Sequence, residues 1–297
     1  VTALRYKDRA DIPIKLVSYL FITLFSIACI IPFMMMVSTS FTTESAVVRY
    51  GFNLWPREFS MAAYNVVFSN PEFIMNSYMV TIMITVTGTI SGLFLIAMTG
   101  YALSRPDFAW RNYIAFFIYF TTLFSGGLVP YFLLVSRYLG LRDNYLAVIL
   151  PLLMSPWLLI LMRNFAKNIP FSLTESAKID GAGDVKIFVQ IILPMLKPAL
   201  ATIGLFLALG YWNEWFNALL FISGNRPQPL QLFLHQVVTQ AQFIRNSPAA
   251  AFIDLSELPQ ETIRMAVGVV TTGPIILLYP FVQRYFIKGI TIGAVKG

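Results

Sequence analysis

The sequence predicts an all-α, polytopic membrane protein with six transmembrane helices. Three observations carry this. Apolar runs of spanning length recur six times. Of the 297 residues, 57% are hydrophobic and 12% charged, and mean hydropathy is +0.70. Lysine and arginine gather on one set of connections. A soluble domain carries roughly a quarter charged residues, so this chain has too little polar surface to face water.

The runs are Leu16–Val37, Asn76–Leu103, Tyr113–Val135, Tyr145–Met162, Ala199–Ile222 and Ile263–Ile287. A hydrocarbon core of roughly 30 Å needs about 20 helical residues. Helix is the expected form because the backbone in lipid must bond within its own segment. The layout is an N-terminal segment 1–15, a transmembrane domain 16–287 with its largest inside loop at about 163–197, and a tail 288–297. The first run is too long for a removed signal peptide and has no small-residue cleavage site after it.

The connections on one side hold Arg5, Lys7, Arg9, Lys15, Arg105, Arg111, Arg163, Lys167, Lys178, Lys186, Lys197, Arg284, Lys288 and Lys296, two-thirds of the basic residues. That bias places both termini in the cytoplasm. It also accounts for the net charge of +7 without nucleic acid, since no basic stripe with interleaved aromatics is present. Cys29 is the one cysteine, so no intrachain disulfide forms. A lone His235 gives no metal cluster.

Individual runs carry local signals. Thr81, Thr85, Gly88 and Gly92 form a small-residue stripe, read as helix packing. Gly126, Gly127 and Pro130 mark a weak point in the third run, able to line a cavity or bend during gating. Trp212, Asn213, Glu214, Trp215 and Asn217 stand toward the outer end of the fifth. Glu214 is the carboxylate deep enough in a run to require a reason. Two readings stand: a sugar site of aromatic faces and hydrogen-bonding side chains, or an interfacial aromatic belt with Glu214 paired to a neighbour. Outside, Thr39–Met75 is aromatic-rich. The segment 229–243 has an amphipathic pattern, with Leu230, Phe233, Leu234, Val237 and Val238 at helical spacing. It either packs on the bundle or docks an outside partner, and His235 on it is read as a packing residue.

The inside loop 163–197 is the most detailed connection. Ser172 and Glu175 fit a capping box. A short helix is expected from Leu173 to Asp180, stopped by Gly181 in a left-handed turn. Asp184 is placed to cap a second helix, along which Phe188, Ile191, Ile192 and Met195 recur. Pro194 and Pro198 bend or restart that helix. A two-turn stub is marginal by itself. The connection Ser104–Asn112 is small, so a partner outside the chain is the more economical support.

This loop resembles the EAA motif of ABC importer permeases. Glu175, Ala177, Asp180, Gly181, Ala182, Phe188, Ile191, Leu193, Pro194 and Pro198 fall on the motif in register, with Ser176 where alanine is usual. The resemblance covers roughly Asn76–Gly297 and implies a type I ABC importer permease fold. It makes the stub a coupling helix seated in a cytoplasmic ATPase subunit. Gly181 then gives the close turn, Glu175 and Asp180 charged contacts, and Ala177 and Ala182 close approach. The ending "KGITIGAVKG" looks like the tail of the shorter maltose-importer-type permease, which reaches toward the ATPase dimer. Gly289, Gly293 and Gly297 fit an extended segment there, and a disordered basic tail is the other reading. "LFSGGLVPYFLLVSRYLGLRDNYLAVILP" and "YWNEWFNALLFI" look like the LplC-type branch, associated with oligosaccharides from complex polysaccharides, including acidic ones such as alginate.

The resemblance therefore implies a non-enzymatic permease subunit in the bacterial inner membrane, importing oligosaccharide. Its implied partners are an ATPase dimer, a sister permease, an extracytoplasmic solute-binding protein and lipid. The chain has no phosphate-binding G-x4-G-K-[ST] loop, so ATP and Mg fall to the ATPase chains, and this chain needs no cofactor or metal. An ion-driven transporter would need several buried titratable residues. A membrane enzyme would need a converging catalytic set. Neither pattern is visible.

Overall fold

A computed structural model describes residues 11–224, 226–246 and 260–276. The described residues divide into two compact units, the first comprising 11–70, 237–246 and 260–272 and the second 71–224, 226–236 and 273–276.

In the first unit, α1 (Asp11–Ser40) is a 30-residue apolar helix. From Ile14 to Phe33 its large apolar side chains are exposed, as lipid-facing residues are. Thr43 caps α2 (Glu44–Tyr50), its hydroxyl accepting from the Ala46 N–H at 3.3 Å. After α3 (Ala62–Val67), the chain returns to this unit in a helix described over 260–276. Glu44 is buried, and its carboxylate accepts from the N–H groups of Glu261 and Thr262, both at 3.0 Å, and from the Thr262 hydroxyl at 2.8 Å. A helix N-terminus leaves its first N–H groups without intrahelical partners and carries partial positive charge. The buried carboxylate answers both needs.

The second unit is built on α4 (Pro71–Ser104), an unbroken helix of 34 residues, about 51 Å at 1.5 Å per residue. It is followed by α5 (Arg111–Leu123) and α6 (Leu128–Leu133), the latter ending in a wide π turn over Leu134–Tyr138. Next come α7 (Leu146–Ile149), a 3₁₀ turn Leu150–Leu152, and α8 (Pro156–Lys167). The charged loop holds α9 (Ser172–Ile179) and α10 (Asp184–Ile187). A π turn Phe188–Ile192 and α11 (Leu193–Met195) lead into α12 (Lys197–Trp212). Then follow α13 (Phe216–Phe221) and the start of α14 (Leu230–Asn246).

Among the described residues two helices are long and apolar enough to cross a membrane unbroken, Pro13–Ser40 and Pro71–Ser104. Three bent pairs raise the number to five. The third run bends by 118° between Leu123 and Leu128, with Gly127 at φ +86°, as its glycines predicted. The fourth bends by 48° before Pro156, and the helix leading into the fifth turns by 82° between Met195 and Lys197. The expectation of an uninterrupted fifth run to Ile222 is corrected: helix stops at Trp212 and restarts at Phe216. The sixth run extends beyond the described residues.

The core of this unit lies where α4 meets α8 and α12. Gly88 lies against the Tyr211 ring, Gly92 against Leu207 and the Leu153 backbone, and Gly100 against Met162. Gly204 of α12 faces Leu93 in return. Small residues let backbones approach closely, which drives helix association in lipid. The stripe on α4 thus packs helices, as read. Thr81 accepts a hydrogen bond from the Leu230 N–H at 2.9 Å, and Tyr211 donates to the Ile149 carbonyl at 2.9 Å. Leu230 and Leu232 are buried, and Phe233 meets Phe73 edge to face, so the first turns of the amphipathic segment pack on the bundle.

Gly88→Leu should force the Tyr211 ring aside and break its bond to Ile149. The expected cost is about 1–3 kcal/mol, typical of overpacking, read as a lower midpoint of thermal unfolding in detergent. Gly126→Ala, where no atom lies within 4 Å of the added Cβ, is the control and should leave the midpoint unchanged.

Candidate functional site

Two clusters of polar residues interrupt the bundle, one at each end of the second unit. At the first, Pro170 and Phe171 turn the chain into α9. The N–H groups of Thr174 and Glu175 bond to the Phe171 carbonyl at 2.9 and 3.1 Å. The predicted capping box does not form. Phe171 is the N-cap, no side chain caps the helix, and Ser172 is already its first helical residue. Asp184 likewise is the first residue of α10 and Gly183 its cap. Proline supplied the turn, which left the Ser172 hydroxyl without that task.

The far end of α9 closes as the sequence indicated. Gly181 has φ +77°. Its N–H bonds to the Lys178 carbonyl at 3.0 Å, and the Ala182 N–H bonds to the Ala177 carbonyl at 2.9 Å, the paired bonds of a Schellman motif. The stub is two-faced. Thr174 and Ala177 are buried against the bundle. Glu175 and Asp180 are exposed, as are two apolar side chains, Ile179 at 86% and Val185 at 78%. Ala177 therefore serves packing within the chain, while Gly181 borders open space.

The stub is also held by its own chain, against the expectation drawn from the small size of Ser104–Asn112. Arg105 grips Asp107 with two hydrogen bonds, Nε to Oδ1 at 2.9 Å and Nη2 to Oδ2 at 2.5 Å. Its Nη1 reaches Asp184 Oδ1 at 2.6 Å. Lys178 lies 3.3 Å from Asp107 and 3.8 Å from Asp184. The Arg105 hydrogen bonds hold the Asp107 carboxyl well below the usual carboxylate range, against a smaller opposing effect of burial and with help from Lys178. A folded-state value below the unfolded one means this contribution to stability is full above the ordinary carboxylate range. It is lost only as pH falls toward the depressed value. The pair is therefore intact at neutral pH.

At the opposite end lies the break after Trp212. Trp212 is buried. Asn213 donates to the Leu209 carbonyl at 2.8 Å and accepts from Gln231 at 3.1 Å. Glu214 accepts the Asn217 N–H at 2.7 Å, restarting the helix as α13. Tyr131, one turn past Gly127, donates to the Asn217 side-chain oxygen at 2.6 Å. Trp215 stacks on His235, ring centroids 4.0 Å apart and planes 19° from parallel. The predicted residues Asn213, Glu214, Trp215 and Asn217 are thus drawn into one cluster, while Gly126 and Gly127 stand at the exposed break of the third run. Tyr131 and Gln231 were missed, while His235, read as a packing residue, does pack, on Trp215. The signals of the first two were faint: a tyrosine after a Gly-Gly break, and a polar residue on an amphipathic segment.

Among the described residues no group of three or more His, Cys, Asp or Glu side chains is arranged to hold a metal ion. Gly289, Gly293 and Gly297 lie outside the described residues.

Residues 1–292 match the family described as binding-protein-dependent transport system inner membrane component. The chain is 42% identical over 285 residues to the polygalacturonan/rhamnogalacturonan transport system permease protein YtcP of Bacillus subtilis (strain 168), spanning 94% of this chain and 96% of that one. It is 40% identical over 268 residues to protein LplC of the same organism, 90% of each chain. A chain in the crystal structure of a bacterial ABC transporter involved in the import of the acidic polysaccharide alginate superposes with a TM-score of 0.78. That match has 32% identity and covers 95% of this chain and 99% of the other. The chain, with its bent spans and its motif-bearing loop, belongs to the family of binding-protein-dependent transport system inner membrane components, the non-catalytic permease subunits of ABC importers.

Proposed function

We propose that this chain forms half of the translocation path of an ATP-driven oligosaccharide importer and is coupled to separate ATPase subunits through residues 175–198. The observation that carries the reading is the stub. Its outer face combines the carboxylates of Glu175 and Asp180, the exposed Ile179, and the open turn at Gly181, with Ala182 half-buried against the bundle beside it. Apolar side chains exposed among charges fit a surface that is covered on assembly. The stub and the connection after α4 then lie in the cytoplasm with both termini. The chain sits in the inner membrane beside a sister permease, and an extracytoplasmic solute-binding protein delivers substrate to the opposite end. ATP and Mg are bound by the ATPase dimer.

Closure of that dimer moves the stub, and the two states expose the path to opposite sides. Hydrolysis resets the dimer, and the substrate moves inward because the path opens to one side and then the other. The path residues are Trp212, Asn213, Glu214, Trp215 and Asn217, with Gly126 and Gly127 at the bend. Relatives named for polygalacturonan, rhamnogalacturonan and alginate support an oligosaccharide from an acidic polysaccharide. Accepting the Asn217 N–H does not remove the charge of a carboxylate at Glu214, so for such a cargo the basic contacts come from the sister permease or a bound cation.

Purification of the chain from its native membrane, followed by mass spectrometry, should recover an ATPase subunit and a second permease. The reconstituted complex should hydrolyse ATP faster with sugar-loaded binding protein. Recovery of this chain alone, active without ATP, would sink the reading. Gly181→Trp should insert normally but lose the ATPase subunit and transport, because the ring projects into the space the partner occupies. Gly181→Ala costs only about 1–2 kcal/mol of local backbone strain and should keep the ATPase subunit bound. In Trp215→Ala, uptake at low sugar concentration should fall about tenfold, equivalent to roughly 1.4 kcal/mol of lost binding, while ATP hydrolysis without sugar is retained.

A further inference from the structure

The charged loop joins the bundle by two routes. The covalent one runs from Asp184 through the π turn Phe188–Ile192, past Pro194 and Pro198, into α12, and it turns through 82°. Prolines and a widened turn remove bonds from the helical ladder, so the chain bends there under load. The second route is non-covalent. Arg105 stands just beyond the last residue of α4, and its side chain is only 13% exposed. One face of the guanidinium fork is fixed on Asp107, and the remaining nitrogen holds Asp184, 79 residues away in sequence. Lys178 of the stub closes the ring of charges. Beneath it Tyr101 stacks on Phe188, centroids 5.8 Å apart, and Thr174 and Ala177 are buried.

The end of α4 is secured on its other side as well. Arg163 of α8 donates to the Leu103 carbonyl at 3.1 Å, and Arg111 donates to the Arg105 carbonyl at 3.2 Å. Cations on the last carbonyls of a helix are favourably placed. From there α4 runs without a break along the contacts that Gly100, Gly92 and Gly88 make with α8 and α12. A displacement of the stub thus meets a compliant link toward α12 and a stiff one toward α4.

We propose that Arg105 is a positioning residue that transmits movement of the stub Ser172–Ile179 into the bundle by way of the long helix Pro71–Ser104. The proposal rests on the reading that an ATPase subunit docks on this stub. Arg105 lies on the bundle side, apart from the exposed Glu175 and Asp180, so it shapes the stroke rather than the docking. Isolated exposed ion pairs contribute little, but a forked arginine bonded twice to one carboxylate and once to another is geometrically fixed. A lysine carries the charge without the fork.

The test uses the assembled transporter in liposomes, with ATP hydrolysis and sugar uptake measured on the same vesicles. Arg105→Gln should still co-purify with the ATPase subunit and hydrolyse ATP within about twofold of the unaltered complex, while sugar moved per ATP falls about tenfold or more, the split expected of a lost coupling contact. Arg105→Lys should recover part of that ratio. Asp184→Asn, at an exposed position, should lower it in the same direction. Combined with Arg105→Gln it should add little, because the two residues share one interaction. An assembled Arg105→Gln complex with an unchanged ratio overturns the proposal. If that variant does not assemble, an unchanged ratio in Asp184→Asn overturns it. Lower yield with a normal ratio in what assembles marks a merely structural role, and also overturns it. Failure of the underlying reading is separately visible: the unaltered chain then carries no ATPase subunit, or moves sugar without ATP.

Discussion

A backbone that leaves helical geometry inside a membrane must find partners for every N–H and C=O it frees, because lipid offers none. The architecture of the second unit depends on that constraint. Between α12 and α13 the chain leaves the helix for three residues, and hydrogen bonds from three N–H groups span the gap. The Asn213 N–H bonds to Leu209, the Glu214 N–H to Tyr211, and the Asn217 N–H to the Glu214 carboxylate. A carboxylate in an apolar segment is costly by itself. By accepting the Asn217 N–H at the start of α13 it performs local structural work, and the neighbouring Asn213 and Trp215 meet Gln231 and His235. The same bonds that repair the break build the cluster proposed to line the path.

The same logic operates at the bend of the third run. Gly126 and Gly127 allow a 118° turn, but the returning half-helix would be loose without a neighbour. It finds one in α13, where Tyr131 bonds Asn217, and both Tyr131 and Phe132 pack on Phe221. The two broken segments thus support each other at one end of the unit. At the other end the charges around Arg105 secure the stub. Between them lies a largely apolar core in which glycines bring α4, α8 and α12 close. The ion pairs are confined to one end and the sharpest bends to the two ends, while the milder bend before Pro156 packs its Leu153 backbone against Gly92 in the middle.

Much of this was legible because some residues fix local geometry wherever they stand. Gly181 had to end α9, since a positive φ is cheap only for glycine, and it does. Gly126 and Gly127 announced the third-run bend, and Pro194 with Pro198 announced the turn before the fifth. The break at Asn213 was not legible. Asn-Glu-Trp is compatible with a helix interior, and only the partners on α14 and α6 make leaving the helix favourable. The capping box failed for the related reason that a local pattern offers a possibility, and Pro170 supplied a competing turn.

The sequence by itself determined the class, the positions of most spans and bends, the charged loop and the family. Hydrophobic length, glycine and proline torsions and a motif in fixed register are all properties of contiguous residues. Tertiary structure alone decided which face of the stub is free, that Arg105 holds Asp184, that Glu44 caps a helix 217 residues away, and that His235 stacks on Trp215. Each of these depends on segments that are separate in the sequence. Such pairings follow from how the helices close on one another, and the chain records no local preference for any of them.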